Sequence, residues 1–176
     1  GDTRIGLLSY MEDSFMHSLY MRSFAWGAWP GCARLEAANL KQDIARLGRQ
    51  ADLVVVLAHW GRYYTGVTFL QRLYARMIID YGADAIIGHH PHIHHPVGVH
   101  AGKPIVYSLG NYAFGTPGHD DFRYGMMARL VVKKKKLVRL EVIPLLTQNR
   151  EIQYKPEPLV GSEAREMLEE LAAASE

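Results

Sequence analysis

Cysteine is nearly absent from this 176-residue chain. Cys32 is the only one, which excludes an internal disulfide and leaves the redox compartment open. An excess of one charge is missing too. Lys and Arg number 20 against 18 Asp and Glu, a formal net charge of +2, so bulk electrostatics favour neither a nucleic-acid binder nor an acidic-membrane binder. No apolar run approaches the ~20 residues of a membrane-spanning helix, and there is no signal peptide, internal repeat or low-complexity linker. The chain opens on Gly1 rather than Met, which reads as an excised or processed piece of a longer protein. Its length and 48% hydrophobic content allow one domain with a real core, and are too little for two.

What the chain does have is histidine. Six of its nine histidines fall between His89 and His100, in Gly88-His89-His90-Pro91-His92-Ile93-His94-His95-Pro96 and just beyond. Imidazole is the commonest protein ligand for transition metals, and neutral rings can be gathered at little cost before a cation arrives. Pro91 and Pro96 push His90 and His95 towards extended backbone, where side chains alternate in direction. An extended path would send His90, His92 and His94 to one side, and His89 and His95 to the other. His90 and His92 are then the best pair for one site. The competing reading is a histidine-rich surface loop with no fixed ligand.

Elsewhere the pattern alternates between strand and helix. Arg4 to Tyr10 reads as a buried strand, and Met11 to Cys32 as a long irregular loop with a possible short helix. Ala33 to Arg49 carries Ala37, Leu40, Ile44 and Leu47 at helical spacing. Leu53 to Leu57 is continuously apolar, as in a parallel strand covered on both faces. Thr68 to Tyr81 is helical, with Leu70, Leu73, Met77 and Tyr81 as its apolar stripe and Gly82 beyond its end. Ala83 to Ile87 and Ile105 to Leu109 are further strands. Met126 to Val132 and Leu137 to Leu145 form a hairpin tipped by Lys133 to Lys136, a solvated turn that discourages edge pairing, with polyanion binding as the lesser alternative. Ser162 caps a final helix that turns Ala164, Met167, Leu168 and Leu171 inward.

This order predicts an α/β fold with a parallel sheet, whose strand carboxyl ends share one edge where ligands bind. The residues just past three strands are His59-Trp60-Gly61, His89-His90-Pro91-His92 and Gly110-Asn111-Tyr112. One rim would therefore receive His59, His90, His92 and Asn111. Alone, His59 reads as a structural histidine; convergence makes it a site residue.

The segments Val55 to Gly61, Gly82 to His92 and Pro104 to Tyr112 together resemble the poly-γ-glutamate capsule-synthesis (CapA-like) family, a branch of the calcineurin-like metallophosphatases. The resemblance implies a four-layer α-β-β-α sandwich, of which residues 1–176 would be one domain's C-terminal half. It implies metal ligation by His59, His90 and His92, with Mn, Zn or Fe as the ion, and His94, His89 and Asn111 as catalytic candidates. The remaining ligands would come from a missing N-terminal half or a partner chain. The implied substrate is a small molecule, a peptide or polyglutamate, hydrolysed at a phosphoester or γ-glutamyl amide by metal-bound hydroxide. Relatives are often anchored at the cell surface.

Two departures bear on the substrate. Arg62-Tyr63-Tyr64 stands where relatives commonly carry Glu-Tyr, and His94-His95 replaces an apolar residue and Gln. These keep two alternatives open: a peptide-modifying enzyme, either an amidase or an epimerase in which a nearby histidine removes an α-proton, favoured by the His94-His95 departure, and a non-enzymatic capsule assembly component.

Overall fold

The structure is a computed structural model that describes residues 2–13, 23–114 and 123–175. The chain runs β1 (Ile5–Met11), α1 (Ala37–Gly48), β2 (Leu53–His59), α2 (Phe69–Asp80), β3 (Ala85–His89), β4 (Val97–His100) and β5 (Lys103–Val106). It continues with β6 (Tyr124–Lys133), β7 (Lys136–Leu146), α3 (Asn149–Ile152), β8 (Glu157–Pro158) and α4 (Gly161–Ala174). Five strands form one sheet in the order β1-β2-β3-β5-β4, and three form a second in the order β6-β7-β8. Strands β1, β2, β3 and β5 are mutually parallel, and β4 is antiparallel to β5.

The unbroken apolar run of β2 has a direct cause. Val54, Val56 and Ala58 point into a core shared with Leu40 and Ile44 of α1 and Ala75, Ile78 and Ile79 of α2. Val55 and Leu57 point the other way, into a core with Met126 of β6 and Met167 and Leu171 of α4. Helices cover one face of the large sheet, and the small sheet with α4 covers the other. A strand buried on both faces has no position for a polar residue. The α/β class is as expected, and α4 joins the inter-sheet core through Met167 and Leu171.

Local expectations needed correction in three places. α1 starts at Ala37 rather than Ala33, because residues 33–35 continue the backbone bonds of β1's end (Met11 N–H to Ala33 O, Leu35 N–H to Met11 O). On α2 the buried stripe is Gln71, Ala75, Ile78 and Ile79, while Leu70 and Leu73 face solvent. The helix phase is set by a capping box between Thr68 and Gln71, which carries the Gln side chain into the protein. The last helix begins at Gly161 after Val160, with no side-chain cap from Ser162. Of the Met11 to Cys32 stretch, residues 14–22 lie outside the described residues. Its described part ends in a tight turn closed by reciprocal Trp26 and Trp29 backbone bonds.

Candidate functional site

The carboxyl ends of β1, β2 and β3 lie side by side, with Met11 opposite His59 and His59 opposite His89. Backbone bonds carry this register into the loops: Glu12 N–H donates to His59 O at 2.8 Å and Trp60 N–H to His89 O at 3.1 Å. Trp60 anchors the rim. It is 1% exposed, and its indole N–H donates to Tyr107 O at 2.9 Å. Gly88 is required beneath it, since a Cβ there would lie 2.1 Å from Tyr107 O and 2.6 Å from the Trp60 indole nitrogen.

The histidine loop is not extended. His90 has φ +104° and His92 φ +64°, against the expectation that the prolines would straighten it. Tertiary bonds override that local preference. Pro91 O accepts from Tyr64 N–H at 2.9 Å, and His95 N–H donates to Ser108 O at 3.0 Å. Left-handed backbone at non-glycine residues is costly and persists where surrounding structure enforces it, commonly at functional sites.

This turn brings the rings together unequally. His90 Nδ1 and His59 Nε2 face each other at 2.9 Å, so one proton is shared between two nitrogens. His92 stands apart, its ring centre 6.3 Å from that of His90. Its Nδ1–H donates to Asn111 Oδ1 at 2.7 Å, which leaves Nε2 with a free lone pair. Asn111 is 5% exposed, and its Nδ2 is buried with no hydrogen-bond partner among the described residues. Tyr63 packs on both histidines, 4.3 Å from the His90 ring centre and 5.5 Å from that of His92.

His94 and His95 of the same loop turn inward. His95 is 2% exposed and donates Nε2–H to Thr65 O at 2.8 Å. His94 forms a bridge with Leu109, and its ring hydrogen-bonds the Tyr124 backbone and feels the Glu170 charge. Burial pushes His94, His95 and His89 below the ordinary imidazole pKa. At physiological pH these rings are held neutral.

Two carboxylates escaped the sequence reading. Glu12 and Asp13 come directly after β1, beside His59 at the end of β2, and they line a cavity of about 230 Å³ with His59, His90 and Arg62. Glu12 Oε2 accepts from Gly61 N–H at 2.6 Å, and Asp13 pairs with Arg34 at 2.7 Å. The signal was their position after a strand, hidden because β1 was ended at Tyr10. An adjoining hollow of about 300 Å³ shares Glu12, Gly61 and Arg62 and adds Phe69 and Leu70.

The histidine pair passes one test for a metal and leaves another open. Two converging lone pairs suit a divalent cation, yet among the described residues no three of His, Cys, Asp and Glu are grouped to hold an ion.

The sequence profile of the bacterial capsule synthesis protein family PGA_cap matches residues 1–116. The chain belongs to this family. It is 41% identical over 103 residues to the PGA biosynthesis protein CapA of Bacillus subtilis (strain 168), covering 58% of this chain and 27% of that relative. It is 34% identical over 113 residues to the capsule biosynthesis protein CapA of Bacillus anthracis, covering 64% and 26%. The chain therefore spans about a quarter of the length of the curated relatives it matches. The match contains the whole histidine rim from Glu12 to Asn111.

Proposed function

We propose that this chain serves the making or trimming of a glutamyl capsule polymer, and that its histidine rim is part of a divalent-metal centre that hydrolyses a γ-glutamyl amide. The observation that carries the reading is the 2.9 Å approach of His59 Nε2 and His90 Nδ1 at the carboxyl edge of the parallel sheet. The polymer is supported by the names of the relatives, one a PGA biosynthesis protein and the other a capsule biosynthesis protein.

His59 and His90 would hold the ion, Mn, Zn or Fe, through the lone pairs that now share a proton. Bound there, a divalent ion lowers the pKa of a water towards ~7 and polarises a substrate oxygen. His92, fixed by Asn111, offers Nε2 as a further ligand or as a base. Arg62, at the mouth of both hollows, is placed to pair with a substrate carboxylate, while Phe69 and Leu70 receive its aliphatic stem. Two imidazoles do not complete a metal shell. The missing ligands belong to other segments of the parent protein or to a partner chain, within the four-layer sandwich of the metallophosphatases. The α-proton-removing alternative drew on the His94-His95 departure, and a His94 ring bonded to the Tyr124 backbone gives it no support.

Zinc and manganese titrations of the chain, with metal content by mass spectrometry, test the first half of the proposal. Uptake should fall at least about tenfold in either His59→Ala or His90→Ala. Unchanged uptake in both variants would overturn it. Glutamate release from γ-glutamyl p-nitroanilide, set beside p-nitrophenyl phosphate hydrolysis, decides between amide and phosphoester.

A further inference from the structure

The amino ends of the same strands carry a second feature, unrelated to the histidines. A groove of about 790 Å³ opens between the two sheets where β2 and β5 begin and β7 leaves the hairpin tip. Its apolar wall is formed by Val97, Val99, Leu137 and Val138, of which Val99 is 61% and Val138 55% exposed. Its cations are Lys103, Lys135, Lys136 and Arg139.

The acids in the groove are already satisfied. Asp84 accepts from Val54 N–H at 2.8 Å and pairs with Lys103 at 3.2 Å. Asp52 accepts from Arg4 N–H at 2.8 Å and pairs with Lys135 at 3.1 Å. Glu141, the partner of Arg139, is shared with Arg129. Lys136, which lines the groove, has no carboxylate partner among the described residues, and neither have Lys133 and Lys134 next to it on the hairpin tip, so this end of the groove is left positive.

The hairpin turn supplies an independent observation. Lys133 pairs with Lys136, so the loop is Lys134-Lys135, with φ +49° and +64°. Positive φ at both central residues defines the tight turn that strongly favours Asn-Gly or Asp-Gly. Here two lysines occupy those positions. The chain gives up turn stability to keep charge at the lip of an apolar groove.

We infer that this groove binds an extended acidic polypeptide, a chain of carboxylates on aliphatic stems, with stems on Val99 and Val138 and carboxylates on Lys133, Lys134 and Lys136. An inorganic polyanion satisfies the lysines and leaves the valines unused. The site is separate from the histidine rim: the two ends of β2 lie roughly 20 Å apart at ~3.3 Å per residue. It stands whether or not the rim binds metal.

Fluorescence anisotropy of a labelled poly-γ-glutamate oligomer, titrated with the full 176-residue chain at physiological salt, tests the inference. The exposed triple variant Lys133→Gln, Lys134→Gln, Lys136→Gln should bind about tenfold more weakly. Its melting temperature and zinc uptake should match the parent's, which separates this result from any failure at the rim. Val138→Ser should weaken binding a few-fold, and polyphosphate of matched charge should compete poorly. Parental binding by the triple variant would overturn the site. Equal competition by polyphosphate, with no effect of Val138→Ser, would overturn the acidic polypeptide as its ligand.

Discussion

The two ends of the parallel sheet treat polar groups in opposite ways. At the amino ends each carboxylate has more than one partner: Asp84 holds a backbone N–H and Lys103, and Asp52 holds a backbone N–H and Lys135. At the carboxyl ends, polar capacity goes unused. His59 and His90 share one proton, while His94 Nδ1, His95 Nδ1 and Asn111 Nδ2 are buried without partners among the described residues. Satisfied groups hold the strands in register. Unsatisfied ones cost stability, and that cost is tolerated where a ligand can later supply the missing bond. The same four strands thus carry a satisfied end and an end with unused polar capacity, joined by the apolar cores on the two faces of the sheet.

If the histidine end rests on the core that the sheet shares with α1 and α2, its anchor should be the most sensitive position. Trp60→Ala removes a fully enclosed indole and its bond to Tyr107 O, and should cost about 3–5 kcal/mol in denaturant unfolding. A loss below about 1 kcal/mol would mean that the rim is not built on Trp60. The amino end should come next. Asp84→Ala leaves Val54 N–H and Lys103 without their acceptor and should cost about 1–3 kcal/mol, with Asp84→Asn recovering part through its amide oxygen. If neither variant differs from the parent, the amino end is not the stabilising one.

Acid should act on the carboxyl side. His94, His95 and His89 have pKa values lowered by burial, while the unfolded chain titrates near 6.5. Between the folded and unfolded values the unfolded state binds more protons, so stability rises with pH and is lost as pH falls below about 6.5. Unfolding free energies measured from pH 7.5 to 5 should show this slope. His95→Gln, which can still donate to Thr65 O, should flatten it. An unchanged slope would place the proton uptake on other groups.

Much of this contrast was legible in the residues. Continuous apolarity gave the parallel strands, and the histidines that follow them gave the rim, because both follow from burial and strand direction. The direction of the histidine loop was not legible. His90 and His92 are forced left-handed by bonds to Tyr64 and Ser108 on other loops, which no local rule contains. Nor does a buried Gln71 announce itself; its place in the α2 stripe comes from a capping box, and Leu70 and Leu73 are displaced into solvent. Strands as short as β4, and β8 with only Glu157–Pro158, carry too few residues for a period to emerge.

The finest difference between the two ends concerns Asn111. Its Oδ1 accepts from His92 Nδ1–H, while its own Nδ2 finds no partner among the described residues, so the side chain is half satisfied there where Asp84 is fully so. Asn111→Ala removes one neutral hydrogen bond and also one buried orphan donor, and these effects oppose each other. The expected cost is therefore about 1 kcal/mol or less, below that of Asp84→Ala. The tautomer of His92 is the sharper readout. With Asn111 present the proton is held on Nδ1, and nitrogen NMR of the imidazole should show that form. Asn111→Ala should release it to a mixture dominated by the Nε2–H form of a free ring. Asn111→Asp keeps an acceptor in place and should preserve the Nδ1–H form. If His92 shows the same tautomer in all three proteins, Asn111 does not position it, and the lone pair on Nε2 is not prepared by this bond.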